Sequence, residues 1–528
     1  AAALRAHGLT VTGQTTQALS VRGATASIES AFHTTLGVIR ESSGSVRVAR
    51  TAGLTVPAEL TAIGATVAGL EPTTHMHLHS KAVPVNRYTP YGGYWFDDLK
   101  QAYAYPDDRT YDGTGATIGI VMSSDVLNSD IAGYFAHENY TAISHKKILP
   151  LIHEALGGGG GIGGGAFAEA NIDVQTSQGS APGAQVKLYN IPDLSDGSIF
   201  DGYVTAIEEN VADVISSSFG GCELTYLPTY NHGVDQRGIL VAYTQLFEQA
   251  NSQGQTFLAS SGDSSGLGCV PPSYLSGVAG KFIPGVEFPA SDPFVTAVGG
   301  TNLKTTTPPS PQPKSPVLTS HYVAESEYAN PELPYDPYGT GANLSGGLWG
   351  SGSGSSAIFA KPAYQNLVNT GSSTRAVPDI SMQMGGCPGG ISEPNCPVNS
   401  VSYGIYYIQS LTPHPDGLVG FIGTSLSSPE FAGLLAVGIG LNKALGSPTG
   451  RLGNINPYIY TLAAQQYAAP GSNYFYHTGI PGYNGIVTLA AGFKGYSPIL
   501  GVGTPDAHYF LGLPDVPEVT DPQTPANP

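Results

Sequence analysis

From Tyr91 onward, short apolar runs of strand length alternate with stretches of helical periodicity, and that alternation narrows what the chain can fold into. Ala116-Thr-Ile-Gly-Ile-Val-Met, Gln185-Val-Lys-Leu-Tyr, Ala212-Asp-Val-Ile-Ser-Ser-Ser, Thr256-Phe-Leu-Ala-Ser-Ser and Val295-Thr-Ala-Val-Gly-Gly read as buried strands. Helical stretches such as Phe200–Glu209 and Val241–Gln253 lie between them. Strands apolar on both faces, joined through helices, predict an α/β domain built on a parallel, doubly wound sheet.

Residues 1–70 have a different texture. Ile28, Ala31, Phe32 and Leu36 fall on one helical face, flanked by the strand-like Gly8-Leu-Thr-Val-Thr and Val46-Arg-Val-Ala, with a second helix expected over 57–70. This is the pattern of a small α+β unit. Residues 71–90 lack apolar periodicity and read as a linker. Within it His75, His77 and His79 alternate, as an exposed or pH-sensitive strand would, or as a metal-binding run. The larger domain then covers 91–513, interrupted by a Pro-, Ser- and Gly-rich surface insertion at 305–350, before a Pro-rich tail at 514–528.

Charged residues are only 11% of the chain, and 39 acidic residues face 21 basic ones, for a net charge of −18. That balance argues against nucleic acid or an anionic membrane as partner. With 21 Lys and Arg and 13 His, full protonation of the carboxylates leaves at most +34, which either suits an acidic setting by limiting self-repulsion or reflects compositional drift in a chain rich in Gly, Ser and Tyr. No apolar run is long enough to span a bilayer. Four cysteines without metal-type spacing, and the sequons Asn139-Tyr-Thr141 and Asn343-Leu-Ser345, suit a secreted protein in an oxidising compartment. Ala1 enters directly into a folded-looking pattern, so a trimmed start is expected.

Three segments carry candidate chemistry. Gly423-Thr-Ser425-Leu-Ser-Ser-Pro429 opens a helix, which makes Ser425 either an ordinary capping serine or a nucleophile beside N–H groups that stabilise an oxyanion. Glu169 and Asp173, four residues apart after the polyglycine Gly157–Gly161, share a helix face that is either solvated or arranged to share a proton. Ser260-Ser-Gly-Asp263 follows a strand at the sheet edge where α/β sites sit, as an Asx-turn or as a functional carboxyl.

Read together and in order, Glu-x-x-x-Asp, Ser-Gly-Asp and Gly-Thr-Ser-x-x-x-Pro resemble the sedolisin (serine-carboxyl) peptidases, including kumamolisin-like enzymes. Ala181-Pro-Gly-Ala, Ser216-Ser-Ser-Phe-Gly-Gly-Cys-Glu223, Phe288-Pro-Ala-Ser, Val298-Gly-Gly-Thr and Arg375-Ala-Val-Pro-Asp379 extend the likeness, and residues 1–70 resemble the later part of an activation propeptide. The resemblance implies a subtilisin-like catalytic domain acting on polypeptides at acidic pH, with its own propeptide as inhibitor and chaperone. Ser425 is then the nucleophile, Glu169 its base, Asp173 the group that orients Glu169, and a protonated Asp263 the oxyanion donor. Ser216, Ser218, Phe219 and Gly220 are expected along the bound substrate.

The resemblance also brings a C-terminal calcium loop with two aspartates. Here His477 or Thr478 and then Ser497 stand in their places, so the ion lacks charged ligands and no cofactor is expected. Because the Ser-Ser-Phe-Gly-Gly and Ser-Gly-Asp turns should share one sheet edge, Cys222–Cys269 and Cys387–Cys396 are the expected disulfides. A Ser-His-Asp subtilase would need a histidine in a His-Gly-Thr-like turn, and His153 lacks that context. The remaining alternative is a catalytically retired peptidase fold serving as a surface or structural protein.

Overall fold

The computed structural model describes residues 1–40, 46–71, 74–83, 93–137, 139–144, 146–231, 233–306, 320–387, 402–411, 417–469 and 476–513. Its main sheet runs, strand beside parallel strand, through Ile152–Ala155, Gln185–Asn190, Thr117–Met122, Val214–Ser217, Thr256–Ser260, Thr296–Thr305 and Ile380–Gln383. Every one of the five predicted strands is present. Val214–Ser217 and Thr256–Ser260 are buried at each residue, which explains their lack of alternation.

From Thr117–Met122 the chain steps out to the edge strand Ile152–Ala155, returns to Gln185–Asn190 and then crosses to Val214–Ser217 on the other side of Thr117–Met122. Gly164–Ser180 lies in the connection from Ile152–Ala155 to Gln185–Asn190, and Asp196–Glu209 in the connection from Gln185–Asn190 to Val214–Ser217. The point of reversal opens a crevice beyond the strands' C-terminal ends, where sites in such sheets form. Arg237–Ser252 packs beside Asp196–Glu209, and the long helix Thr424–Ala444 packs on Gly164–Ser180. These last two helices approach closely: a Cβ on Gly433 would stand 2.3 Å from Ser180 Cβ. Both helices are buried nearly all round, so they lack the polar stripe of a surface helix.

The N-terminal unit has its own small core of Leu4, Leu9, Ala31 and Phe32 with Ile28 against it, beneath the hairpins Thr10–Gln14/Leu19–Arg22 and Leu36–Arg40/Val46–Arg50. The predicted helix over 57–70 shrinks to one turn, Ala58–Thr61. Gly64 adopts φ +72° while Ala65 N–H returns to Leu60 O, the left-handed closure that ends helices. Leu36 opens a strand instead of closing the helix face.

The insertion is more than surface. Tyr322–Tyr328 extends the main sheet antiparallel to Thr296–Thr305 and buries Glu325 and Glu327. Residues 307–319 and the tail 514–528 lie outside the described residues. No helix among the described residues is long and apolar enough to cross a membrane.

Candidate active site

Ser425 is the second residue of the helix Thr424–Ala444, so its N–H is one of those that no preceding turn can satisfy. It donates instead to the carbonyl of His79 at 3.2 Å. The Ser425 hydroxyl is buried and donates to Ser218 O at 3.4 Å.

Glu169 and Asp173 project from Gly164–Ser180 into the crevice and are fully buried. Asp173 Oδ1 accepts from Ser218 Oγ at 2.5 Å, and Glu169 Oε2 accepts from Ser80 Oγ. Burial raises the pKa of both carboxyls. The hydroxyls of Ser425 and Ser80 favour the charged form of Glu169, and the charge on Glu169 pushes Asp173 higher still. The two carboxyls therefore share a proton that favours Asp173, which leaves Glu169 as the member able to accept one.

Asp263 follows the strand Thr256–Ser260. Its Oδ1 accepts from Thr424 N at 2.7 Å and Thr424 Oγ1 at 2.9 Å, which fixes the carboxyl against the start of the serine helix. Oδ2 has no hydrogen-bond partner among the described residues. The point a Cβ on Gly423 would occupy lies 2.8 Å from Asp263 Oδ2 and 2.1 Å from His79 O, so both oxygens border one small space. Glycine at 423, with φ +137°, keeps that space open. Burial pushes the Asp263 pKa up to about 8, so over the acidic and neutral range Oδ2 can carry a proton toward that carbonyl.

The segment expected to be an exposed linker is instead seated in the crevice. His77–Leu78 pairs antiparallel with Phe219–Cys222, Leu78 opposite Phe219 and His77 opposite Gly220, and His79 N–H donates to Ser218 O at 3.4 Å. Lys81–Val83 continues as a strand against Leu418–Ile422. An extended chain thus crosses the site from His77 to Val83, with the carbonyl of His79 at Ser425. His75 and His79 are buried, His75 on Asp196 at 2.6 Å. His77, His79 and Glu287 bring ligand atoms within 4.8 Å of one another, but both His79 ring nitrogens are already hydrogen-bonded, to Ser260 and Glu287. Nothing in the sequence of this segment beyond the alternating histidines marks it as part of the site.

Of the residues expected along a substrate, Ser218 and Gly220 face the seated strand with their backbone. A Cβ on Gly220 would come within 2.8 Å of His79 Cε1, which explains the glycine. Phe219 contributes its backbone, while its ring is buried against Tyr203 at 6.3 Å. Ser216 does not belong to the group. Its backbone is used on both sides, by Ile120 and Leu258, and its hydroxyl bonds Ser428 inside the domain. Cys222 and Cys269 form a disulfide that ties the end of the Phe219–Cys222 strand to the loop after Asp263. Cys396, the expected partner of Cys387, lies outside the described residues.

The altered calcium loop does not fit an ion. Residues 475–505 contain no Asp or Glu. Ser497 Oγ accepts from Ile499 N at 3.1 Å and Leu500 N at 3.0 Å, and Ser497 and Gly501 exchange backbone hydrogen bonds. The hydroxyl at the second ligand position is spent closing its own turn. Lys494 is exposed, and the side chain of His477 lies outside the described residues.

Comparison with known proteins gives two family matches: Subtilase family (Peptidase S8) over residues 153–459 and Pro-kumamolisin, activation domain, over residues 1–74. Sedolisin of Pseudomonas sp. (strain 101) is 27% identical over 439 residues, spanning 79% of this chain and 63% of its own length. Kumamolisin of Bacillus sp. (strain MN-32) is 25% identical over 440 residues, spanning 81% and 63%. The chain therefore spans a little under two thirds of the length of these relatives. The solved structure of Pseudomonas sedolisin, a serine-carboxyl proteinase complexed with two molecules of pseudo-iodotyrostatin, has the same fold. Its TM-score is 0.56 at 23% identity, over 81% of this chain and 98% of that one. With a family match over more than half its length, the chain belongs to the subtilase family, in its sedolisin branch, and carries a pro-kumamolisin activation domain at its N-terminus.

Proposed function

We propose that the protein is a secreted serine-carboxyl endopeptidase that acts at acidic pH and is held inactive by its own N-terminal segment. The observation that carries this reading is the His79 carbonyl, which accepts from Ser425 N–H at 3.2 Å and borders the unpartnered Oδ2 of Asp263. A peptide carbonyl in that position is held as a substrate carbonyl must be. A chain running through on both sides of Ser425, from His77 to Val83, favours an endopeptidase.

In the proposed reaction Ser425 Oγ attacks the carbonyl carbon and its proton passes to Glu169, whose basicity the Asp173 pair sets. The oxyanion receives the Ser425 N–H and the Asp263 O–H. As the C–N bond breaks, Glu169 returns the proton to the leaving amine, and water then releases the acyl group by the same groups in reverse order. Asp263 donates only while neutral, so activity falls as pH rises through its pKa of about 8.

The test is covalent labelling. A fluorophosphonate probe applied at pH ~4 after acid processing should mark Ser425, as found by peptide mass mapping, and leave Ser425→Ala unmarked. Absence of both labelling and peptide hydrolysis in the processed wild type would remove the peptidase reading.

The same proposal includes independence from calcium, since the Ser497 hydroxyl already accepts from two N–H groups of its own turn. A chelator should then move the melting temperature by less than ~1 °C. A drop of several degrees would mean that other oxygens hold one.

A further inference from the structure

The strand in the crevice shows what side chains the subsites accept. Because the carbonyl of His79 sits at Ser425 N–H, the bond His79–Ser80 lies where a scissile bond would. The His79 ring fills a buried pocket, with Nε2 2.7 Å from Glu287 Oε2 and Nδ1 2.7 Å from Ser260 Oγ. Glu287 is 2% exposed and is fixed by its own strand, Glu287–Phe288, which pairs with Phe219–Cys222 on the side away from the crevice chain. Gly262 leaves it room, since a Cβ there would stand 2.8 Å from Glu287 Oε1.

A carboxylate buried at this depth is costly unless a cation or strong donor meets it. The groups facing His79 are Glu287, Asp263, Glu169 and the neighbouring His77, so three of the four are carboxyls. Burial works against a charged ring, but Glu287 foremost, by its charge and its hydrogen bond, raises the His79 pKa, while the charge of His79 and His77 holds Glu287 below its usual range. His77, two residues earlier, faces the same carboxylate at 3.8 Å and lies edge-on to Tyr338 at 5.2 Å.

On the leaving side a second acidic pocket receives Lys81. Its Nζ pairs with Glu332 and lies 4.5 Å from the ring centre of Tyr335 and 4.9 Å from that of Trp349. Glu332 is nearly fully buried. A buried carboxylate beneath two aromatic faces is a receptor for an ammonium group. All three residues come from the insertion, which this contact provides with a role.

We infer that the cleft selects a cationic residue, histidine foremost, immediately before the cut bond and a lysine two residues after it, with Glu287 and Glu332 setting the two preferences. This rests on the peptidase reading above. A leucine before the cut would take from the buried Glu287 carboxylate the hydrogen bond of the His79 ring, the situation in which polar pockets reject apolar analogues most strongly.

Internally quenched peptides containing Thr-His-Met-His-Leu-His-Ser-Lys-Ala-Val-Pro, the chain's own 74–84 sequence, supply the test with acid-processed wild type at pH ~5, where histidine is charged. Cleavage at His-Ser is expected. Replacing that histidine by leucine should lower kcat/KM by at least ~10-fold, arginine by less, and replacing the lysine by leucine should lower it by at least ~5-fold. Glu287→Gln should erase the preference for histidine over leucine, and Glu332→Gln the preference for lysine. Equal cleavage of the leucine peptides by the wild type would overturn the inference and leave the peptidase reading standing, whether or not the Glu287 variant folds. If no peptide is cut and Ser425 takes no label, the peptidase reading fails and this inference with it.

Discussion

Exchanging Glu169 for Gln should lower peptide turnover by about 10²–10⁴-fold, the range over which a positioned general base acts. The substitution keeps the side chain's shape, and its amide oxygen can still accept from Ser80 Oγ, the contact Glu169 Oε2 makes now. What disappears is the ability to take the Ser425 proton. Because Glu169 is buried with its pKa already raised, removing its charge should not destabilise the fold, so a catalytic loss without a lower melting temperature is expected. Asp263→Asn gives the contrast. An amide N–H still points toward the oxyanion and no longer titrates, so the loss in kcat should be smaller and the decline of activity near pH 8 should vanish. Steady-state rates between pH 3 and pH 9, with melting curves on the same samples, measure both effects. Activity of Glu169→Gln within tenfold of wild type would show that another group takes the proton.

The candidate carboxyls were legible because they break a pattern. A helix such as Gly164–Ser180, rich in Ala and Gly yet carrying Glu169, Asn171, Asp173 and Gln175, has no apolar stripe, and polar groups in a fully buried helix need a purpose. The strands were legible for the opposite reason, being apolar on both faces. The segment His75–Val83 was not legible, since its strand pieces of two and three residues draw their hydrogen bonds from Phe219–Cys222 and Leu418–Ile422, far along the chain. Local periodicity carries no trace of such pairing. The same holds for Glu332 and Trp349, which an irregular insertion brings to Lys81. Ser216 misled through its neighbours. In the run Ser216-Ser-Ser the chain leaves the sheet within two residues, so Ser218 reaches the crevice while Ser216 stays between two parallel strands.

The protein should be more stable in mild acid than at slightly alkaline pH, with the melting temperature falling most steeply between about pH 6.5 and 8. Burial raises Asp263 and Glu327 to about 8 and Asp292 to about 6, against about 4 in an unfolded chain. A carboxyl raised in this way keeps its proton in the folded state after the unfolded state has released it. Folding then binds protons, and stability is lost as pH climbs from the unfolded value through the folded one. His79, raised by its carboxylate neighbours, adds to the same trend. His77 opposes it: lowered to about 4, it favours the fold at higher pH, but only between pH 4 and its ordinary value near 6.5. Glu287, held low, acts below that window again. Above pH ~6.5 the opposition is exhausted while Asp263 and Glu327, with Asp173, still hold protons, and the first two alone should lower stability by ~3 kcal/mol per pH unit. For a chain of this size that is a decline of roughly 4 °C across the window. Melting the full-length Ser425→Ala chain from pH 4 to 8 avoids self-digestion, and adding Asp263→Asn and Glu327→Gln should flatten the upper part of the curve. A melting temperature that holds or rises from pH 6.5 to 8 would mean that these carboxyls are charged within the fold, and that Asp263 has no proton to offer an oxyanion there.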